Sequence, residues 1–296
     1  MTRFERCAWA FLAYLLFVIA FGAWVRISGS GDGCGNHWPL CRGEVVPVAP
    51  GAKTLIELTH RLTSGFSGLL GLALVWWARR IGRPVFRAAL AMFVFLMLEG
   101  LIGAVLVKKE LVAGDASMSR ALVVALHLTN TLMLTASAAA MAWRARPRLL
   151  VATTAPVSRM LLAGILLALV VTNATGAVTA LGDTLFPVGP AIQRDGPAAQ
   201  HFLVRLRIVH PVVAMSTVVL VGAALLWLMQ RSPLRMLKSS LHALAGQAAL
   251  GFLNIALGAP GWMQIVHLLM AQVVWILVFL TVLRLTPSNR IWRMTN

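Results

Sequence analysis

The chain breaks into about eight apolar runs, each near the length one helix needs to cross a bilayer. They are Ala8 to Ile27, Leu58 to Ala78, Ala88 to Val107, Ala121 to Trp143, Met160 to Leu181, Phe202 to Met229, Leu241 to Leu257 and Trp262 to Leu283. About 30 Å of hydrocarbon at about 1.5 Å per residue requires about 20 residues. Within hydrocarbon every backbone amide must be paired inside the segment, so runs of this kind become α-helices. Composition agrees, because 59% of the 296 residues are hydrophobic and only 12% are charged, too apolar for an ordinary soluble domain. The expected fold class is therefore an all-α integral membrane protein with about eight transmembrane helices. The seventh run is short and contains glycine, which blurs its ends. The first follows Arg3 and Arg6 as a signal peptide would, but it is long enough to span.

Orientation follows from the basic residues, since short loops rich in Lys and Arg stay on the cytoplasmic side. With the N-terminus inside, the inner segments hold Arg3, Arg6, Arg79, Arg80, Arg83, Arg87, Arg144, Arg146, Arg148, Arg159, Arg231, Arg235, Lys238, Arg284, Arg290 and Arg293, against one acid, Glu5. Both termini are expected in the cytoplasm, in the inner membrane of a cell. The same distribution accounts for the formal net charge of +17 through topology. No basic stripe interleaved with aromatic residues is present to suggest nucleic acid as a partner; the expected surroundings are membrane lipid.

His60, His127, His210 and His267 fall one each on the second, fourth, sixth and eighth runs. Those four helices run inward, and each carries its histidine in its early part, so all four imidazoles lie toward the extracytoplasmic leaflet. An ionisable side chain in hydrocarbon is costly unless it meets a partner or ligand. A single membrane histidine is more often just a hydrogen-bonding group between helices, but four in register are not readily explained that way. Imidazoles from facing helices fill the axial positions of haem iron, and an apolar bundle encloses the macrocycle. Two opposed pairs suggest two haems.

The separation of His60 from His127 is close to that of His210 from His267, which reads as two tandem four-helix bundles related by pseudo-symmetry, residues 1–148 and 149–296. A local echo supports the repeat: Gly22-Ala-Trp-Val ends the first helix and Gly176-Ala-Val-Thr the fifth. Arg144 to Ser158, with Pro147 and Pro156, is the expected linker.

Glu57 precedes His60 by three positions and shares its helix face if the helix has begun by then; its carboxylate would then point toward the first haem. The alternative is an ordinary acid favoured in a first turn by the helix dipole. Three before His210 stands Arg207, a cation suited to a haem propionate. Glu99, deeper in the third helix, ranks below Glu57, as a functional acid or as the partner of an arginine or backbone group nearby. His37 and His201 lie in outer loops, and His242 at the cytoplasmic start of the seventh helix. Cys34 and Cys41 flank Gly-Asn-His-Trp-Pro-Leu in the first outer loop. A disulfide or redox-active dithiol is favoured there over a metal site with His37, which lacks a fourth ligand. Cys7 is expected to pack as a small hydrophobe.

The run Gly22-Ala-Trp-Val-Arg-Ile-Ser-Gly-Ser-Gly31, the Cys34 to Cys41 loop with Trp38-Pro39-Leu40, and Glu57-Leu-Thr-His60-Arg61 resemble the first half of the haem A synthase family. His127, His210-Pro211 and His267 fall where that family has its other ligands, so the resemblance covers essentially the whole chain. One departure is Asn36-His37-Trp38-Pro39, where the family often has Pro-Asp-Trp-Pro. The resemblance implies oxidation of the ring-D methyl of haem O to a formyl group, giving haem A for terminal oxidases. It further implies that Glu57, His60 and His127 serve the substrate haem, and that His210 and His267 hold a resident haem b. It also implies a neighbouring haem O synthase, the farnesyltransferase that makes haem O, and an electron donor or acceptor. Two other functions fit the four histidines: a cytochrome b that only passes electrons, and a haem transporter. The first leaves Glu57 and the loop cysteines without a task. The second predicts an open path and reversible ligation, for which the sequence holds no sign.

Overall fold

A computed structural model describes residues 1–146, 157–187 and 200–286. Most of the expected linker, with Arg148, and the terminal Arg290 and Arg293 lie outside these residues. The described chain is helical, without strands, and contains eight long helices. These are α1 (Arg3–Ile27), α2 (Ala52–Ala78), α3 (Arg83–Lys108), α4 (Met118–Arg144), α5 (Arg159–Leu185), α7 (Val209–Arg231), α8 (Arg235–Ala256) and α9 (Gly261–Leu285). A one-turn helix, α6 (Phe202–Arg205), and a 3-10 turn (Leu206–Ile208) lead into α7. Proline explains that break. An interior proline clashes with the carbonyl four residues earlier, which for Pro211 is the carbonyl of Arg207, inside the 3-10 turn.

Six stretches are long and apolar enough to cross a membrane: α1, α3, α4, α5, the Phe202–Arg231 stretch and α9. The chain is a multi-pass membrane protein. Helices α2 and α8 fall short of that measure because they carry more polar side chains, among them Glu57, His60 and Arg61 on α2 and Gln247 and Asn254 on α8. Helix α2 also starts well before its apolar run, so Glu57 lies inside it, one turn ahead of His60.

The centre of the bundle is made by α1, α4, α5 and α9: α4 packs on α1, α5 and α9, and α9 also packs on α1 and α5. Helices α2 and α3 flank this centre on one side and α7 and α8 on the other, with α1 against α2, α2 against α3, α3 against α4, α5 against α7, α7 against α8 and α8 against α9. Close approach is permitted by the small residues of α4, where Ala136, Ala138, Ala139, Ala140 and Ala142 are all buried. In lipid such surfaces supply the packing that hydrophobicity cannot. Two hydrogen bonds tie α4 to α9: Trp275 Nε1 donates to Leu132 O at 2.7 Å, and Thr135 Oγ1 to Gln272 Oε1 at 3.0 Å.

Dry packing is concentrated at one end. Phe4, Phe11, Leu12, Leu15, Met92, Met141, Leu162, Leu225, Leu228, Leu237 and Val278 belong to one buried cluster there. At that end Arg146 pairs with Glu5 at 2.6 Å and lies over Trp143. The opposite end, where the first loop sits, opens into a cavity. Cys7 is exposed on α1 instead of packed, so the expectation that it fills core space fails: its helix position faces outward.

Candidate functional site

The cavity has a volume of about 1680 Å³, and His60, His127, His210 and His267 all line it, together with Glu57, Arg207 and Glu99. This exceeds the roughly 300–1,000 Å³ of a pocket for one drug-sized ligand. Its wall is mostly apolar, with side chains such as Leu62, Phe66, Met97, Leu128, Met215 and Phe252. A flat amphiphile with a polar edge suits that lining.

Glycine brings the helices close to the histidines. A Cβ on Gly22 of α1 would stand 3.0 Å from Cε1 and 3.2 Å from Nε2 of His60 on α2. A Cβ on Gly176 of α5 would stand 3.0 Å from Cε1 of His210 on α7. The two glycines of the sequence echo therefore do the same work, letting an imidazole approach the neighbouring helix closely. Gly251 of α8 does similar work for His267, with a Cβ 3.2 Å from its Cε1.

In the second half of the chain, the rings of His210 and His267 face each other with centroids 6.4 Å apart and planes at 82°. Metal–imidazole bonds are about 2 Å, as at zinc, so two rings flanking one metal ion stand about this far apart. Among the described residues the buried Nδ1 atoms of His60 and His267 have no hydrogen-bond partner, and that of His127, 3.3 Å from Glu99 Oε1, has none in hydrogen-bond geometry. His210 Nδ1 meets Thr175 Oγ1 at 3.2 Å and His267 Nε2 meets Gln247 Nε2 at 3.2 Å; buried polar atoms are ordinarily satisfied, so the ring nitrogens left unpaired around an apolar cavity fit a haem.

Glu57 is buried and already occupied. Its Oε2 accepts the backbone N–H of Cys34 at 2.8 Å, and its Oε1 accepts Arg61 Nε at 3.1 Å and Arg61 Nη2. Arg61 Nη1 reaches on to the carbonyls of His37 at 2.7 Å and Leu40 at 2.6 Å. Thr54 donates to the carbonyl of Gly33 at 2.8 Å. Glu57 and Arg61 thus clamp the first loop onto α2, and Glu57, expected to point toward the first haem, lines the cavity while being shared with the loop. Cys34 and Cys41 are joined as a disulfide and fully buried beneath it.

Arg207 is also engaged. Its Nε lies 2.7 Å from Asp183 Oδ1, and Nη2 donates to the carbonyls of Gly182, at 3.0 Å, and Phe186 at the end of α5. Sequence reasoning missed Asp183 because that pairing depends on how α5 meets the 3-10 turn. It also missed Arg26, at the end of α1, which donates to Ala180 O at 2.6 Å, to Thr184 Oγ1 and to Gln264 Oε1 at 3.0 Å. Arg26 joins α1, α5 and α9 beside the cavity. Its place in the glycine-rich motif was the available signal.

Glu99 pairs with neither arginine nor backbone. Oε2 accepts Asn130 Nδ2, Oε1 accepts Thr131 Oγ1 at 2.5 Å, and His127 Nδ1 lies 3.3 Å from Oε1. The side chains of the remaining histidines have other places. His201 caps α6 by accepting Leu203 N at 3.3 Å, His37 sits in the clamped loop, and His242 is exposed on α8.

Residues 5–279 match the model of the COX15-CtaA family, described as cytochrome oxidase assembly protein. A protein of Thermus thermophilus named protoheme IX farnesyltransferase is 47% identical over 293 residues, which is 94% of this chain and 48% of that protein. The chain therefore spans about half the length of that relative. The heme A synthase of Geobacillus kaustophilus is 50% identical over 93 residues, 30% of this chain and 29% of its own. That of an Exiguobacterium species is 39% identical over 95 residues, 30% of this chain and 31% of its own.

Proposed function

The chain belongs to the COX15-CtaA family of cytochrome oxidase assembly proteins, and on that premise we propose that it is a haem A synthase. In this reading it is an oxidoreductase of the cell membrane that converts the ring-D methyl of haem O to the formyl group of haem A. The observation that carries it is the set of four histidines on four helices around one apolar cavity, with different acid and base neighbours at the two ends of the chain.

Residues 1–148 form the substrate half and 149–296 the resident-cofactor half. Support comes from the packing, since the helix contacts keep their pattern when α1, α2, α3 and α4 are exchanged for α5, α7, α8 and α9. His60 and His127 hold haem O, and His210 and His267 hold haem b, on the extracytoplasmic side. Haem b, when bound, supplies one-electron transfer. The chain's own contribution is orientation, exclusion of water and proton handling. Converting methyl to formyl breaks C–H bonds at the ring edge, adds one oxygen atom from dioxygen or water, passes electrons to an external acceptor and releases protons. Glu57, in the cavity wall, is the first acceptor for them, and Arg61 and the Cys34 amide keep its carboxylate oriented between events. Arg207, held against Asp183, presents its remaining surface to a haem propionate.

The name of the Thermus relative favours a second reading, prenyl transfer to haem. Transfer from a diphosphate uses Mg²⁺ held by carboxylates, yet the four aspartates, Asp32, Asp115, Asp183 and Asp195, are widely scattered in this chain. The half of that relative beyond the match has room for such a site. We therefore take haem O synthase as a partner, in keeping with the fused length of the relative. A cytochrome b passing electrons, or a haem transporter, would use the same ligands without Glu57 as an acceptor.

The test is conversion in cells that make haem O and no haem A. Expression of the chain should yield formyl-bearing haem, identified by mass after extraction, and His60→Ala should abolish it. Haem O left unchanged by a protein that nevertheless binds haem would overturn the proposal in favour of the cytochrome.

A further inference from the structure

Two histidines, His127 on α4 and His267 on α9, occupy matching places but have unlike neighbours. Facing His127 is Glu99 of α3, and facing His267 is Gln247 of α8, whose Nε2 lies 3.2 Å from His267 Nε2. The two neighbours correspond within the repeat, because each precedes a glycine by four positions, Gly103 after Glu99 and Gly251 after Gln247. The next turn of helix beyond each histidine differs in the same sense. Asn130 and Thr131 stand three and four residues after His127 and both donate to Glu99. Met270 and Ala271 stand in those positions after His267 and have no donor to offer. The first half thus has a carboxylate with two dedicated donors, Asn130 being itself held by the carbonyl of Phe95 at 2.9 Å. The second half has a neutral amide.

A ligating histidine ordinarily gives its other ring N–H to an acceptor, which fixes the ring and makes it a stronger donor to the metal. His127 Nδ1 lies 3.3 Å from Glu99 Oε1, within reach of that bond but without its geometry, and bonds of this kind are often poorly aligned before the ligand is bound. The remaining nitrogen, Nε2, is then the one left for iron.

We infer that Glu99 is a positioning residue for His127: it accepts the Nδ1 proton, orients the ring, and lowers the reduction potential of the haem bound in the first half relative to that in the second. This rests on the assignment of His127 and His267 as haem ligands. A carboxylate beside the ligand favours the ferric iron, and replacing it by an amide removes that preference. The asymmetry separates an iron kept oxidised from one that is more readily reduced, using Glu99 and its two donors, Asn130 and Thr131, in place of Gln247, Met270 and Ala271.

The experiment is a spectroscopic redox titration of both haems in the purified haem-loaded protein, with His127→Ala and His267→Ala identifying which signal belongs to which half. Glu99→Gln should raise the potential of the first-half haem alone. A tenfold loss of preference for the ferric form corresponds to about 59 mV for one electron, and outer-shell changes of this type are worth about 10- to 100-fold. Glu99→Asp should return part of the shift. If Glu99→Gln does not retain its first haem, Thr131→Val decides the matter: freeing Glu99 Oε1 of one donor should lower the first-half potential and leave the second unchanged. Potentials that stay put in these variants, or a shift in the wrong haem, would overturn the inference. Loss of neither haem signal in His127→Ala would instead overturn the ligand assignment beneath it.

Discussion

Replacing Gly22 by alanine should weaken the first haem site while leaving the second intact. The added Cβ would stand 3.0 Å from His60 Cε1 and 3.2 Å from Nε2. Carbon contacts are favourable at about 3.5–4.0 Å, so the ring must retreat by about half an ångström or α1 must move from α2. Overpacking of this kind costs about 1–3 kcal/mol. If the cost falls on the ligand ring, haem affinity drops roughly five- to 150-fold. Gly176→Ala should do the same to the His210 site, where the corresponding distance is also 3.0 Å. Gly164→Ala and Gly222→Ala are the controls, since nothing lies within 4 Å of a Cβ at either position, and alanine is the better helix former by about 1 kcal/mol. The assay is haem titration into protein produced in haem-deficient cells, with the two sites distinguished by His60→Ala and His210→Ala. Wild-type affinity at both sites in Gly22→Ala, or loss confined to the His210 site, would refute the view that these glycines exist to admit the imidazoles.

The loop clamp and the α4–α9 contact can be probed in the same way. Gly33→Ala would drive a Cβ to within 2.4 Å of the carbonyl of Lys53; it should cost about 3 kcal/mol, lower the melting temperature and expose the first loop to protease, whereas Gly51→Ala, with open space around it, should do neither. Glu57→Ala strips the buried partner from Arg61 and should destabilise by about 3–5 kcal/mol, while Glu57→Gln, which keeps acceptors for the Cys34 amide and Arg61 but loses the charge, should destabilise less and stall conversion of bound haem O; normal product from Glu57→Gln would remove it from the chemistry. Trp275→Phe deletes the bond to Leu132 and should cost about 1–2 kcal/mol in a detergent melt, against no loss for the exposed Trp262→Phe.

How far the sequence carries can be seen at individual residues. The histidines stood out because an imidazole in an apolar run has no ordinary reason to be there. Their convergence on one cavity follows from alternation of the helices. The starts of α2 and α8 were hidden, because counting apolar residues detects only the hydrocarbon portion, and both helices open with polar turns. The repeat at Gly22 and Gly176 was legible as an echo, but its cause, contact with His60 and His210, required the helices to be packed. Glu57 was found by its spacing to His60. Its bonds to the Cys34 amide and to Arg61 depend on where the loop folds back. The partners of Glu99 and the role of Asp183 are hidden for a related reason: they lie on other elements, α4 and the 3-10 turn, and how elements meet is not written in any local pattern. Aligning Glu99-Gly-Leu-Ile-Gly103 with Gln247-Ala-Ala-Leu-Gly251 would have exposed the first of these.

The most direct test of a substrate haem site distinct from a resident one is an inventory of the haems bound to wild type, His60→Ala and His210→Ala, each purified from cells that make haem O and analysed by extraction and mass. Wild type should carry haem b together with haem O, a hydroxylated intermediate or haem A; His60→Ala should lose only the farnesylated haems, and His210→Ala should lose haem b. Haem b alone in all three proteins, with haem O abundant in the membrane, would contradict the assignment and leave an electron-carrying cytochrome in its place.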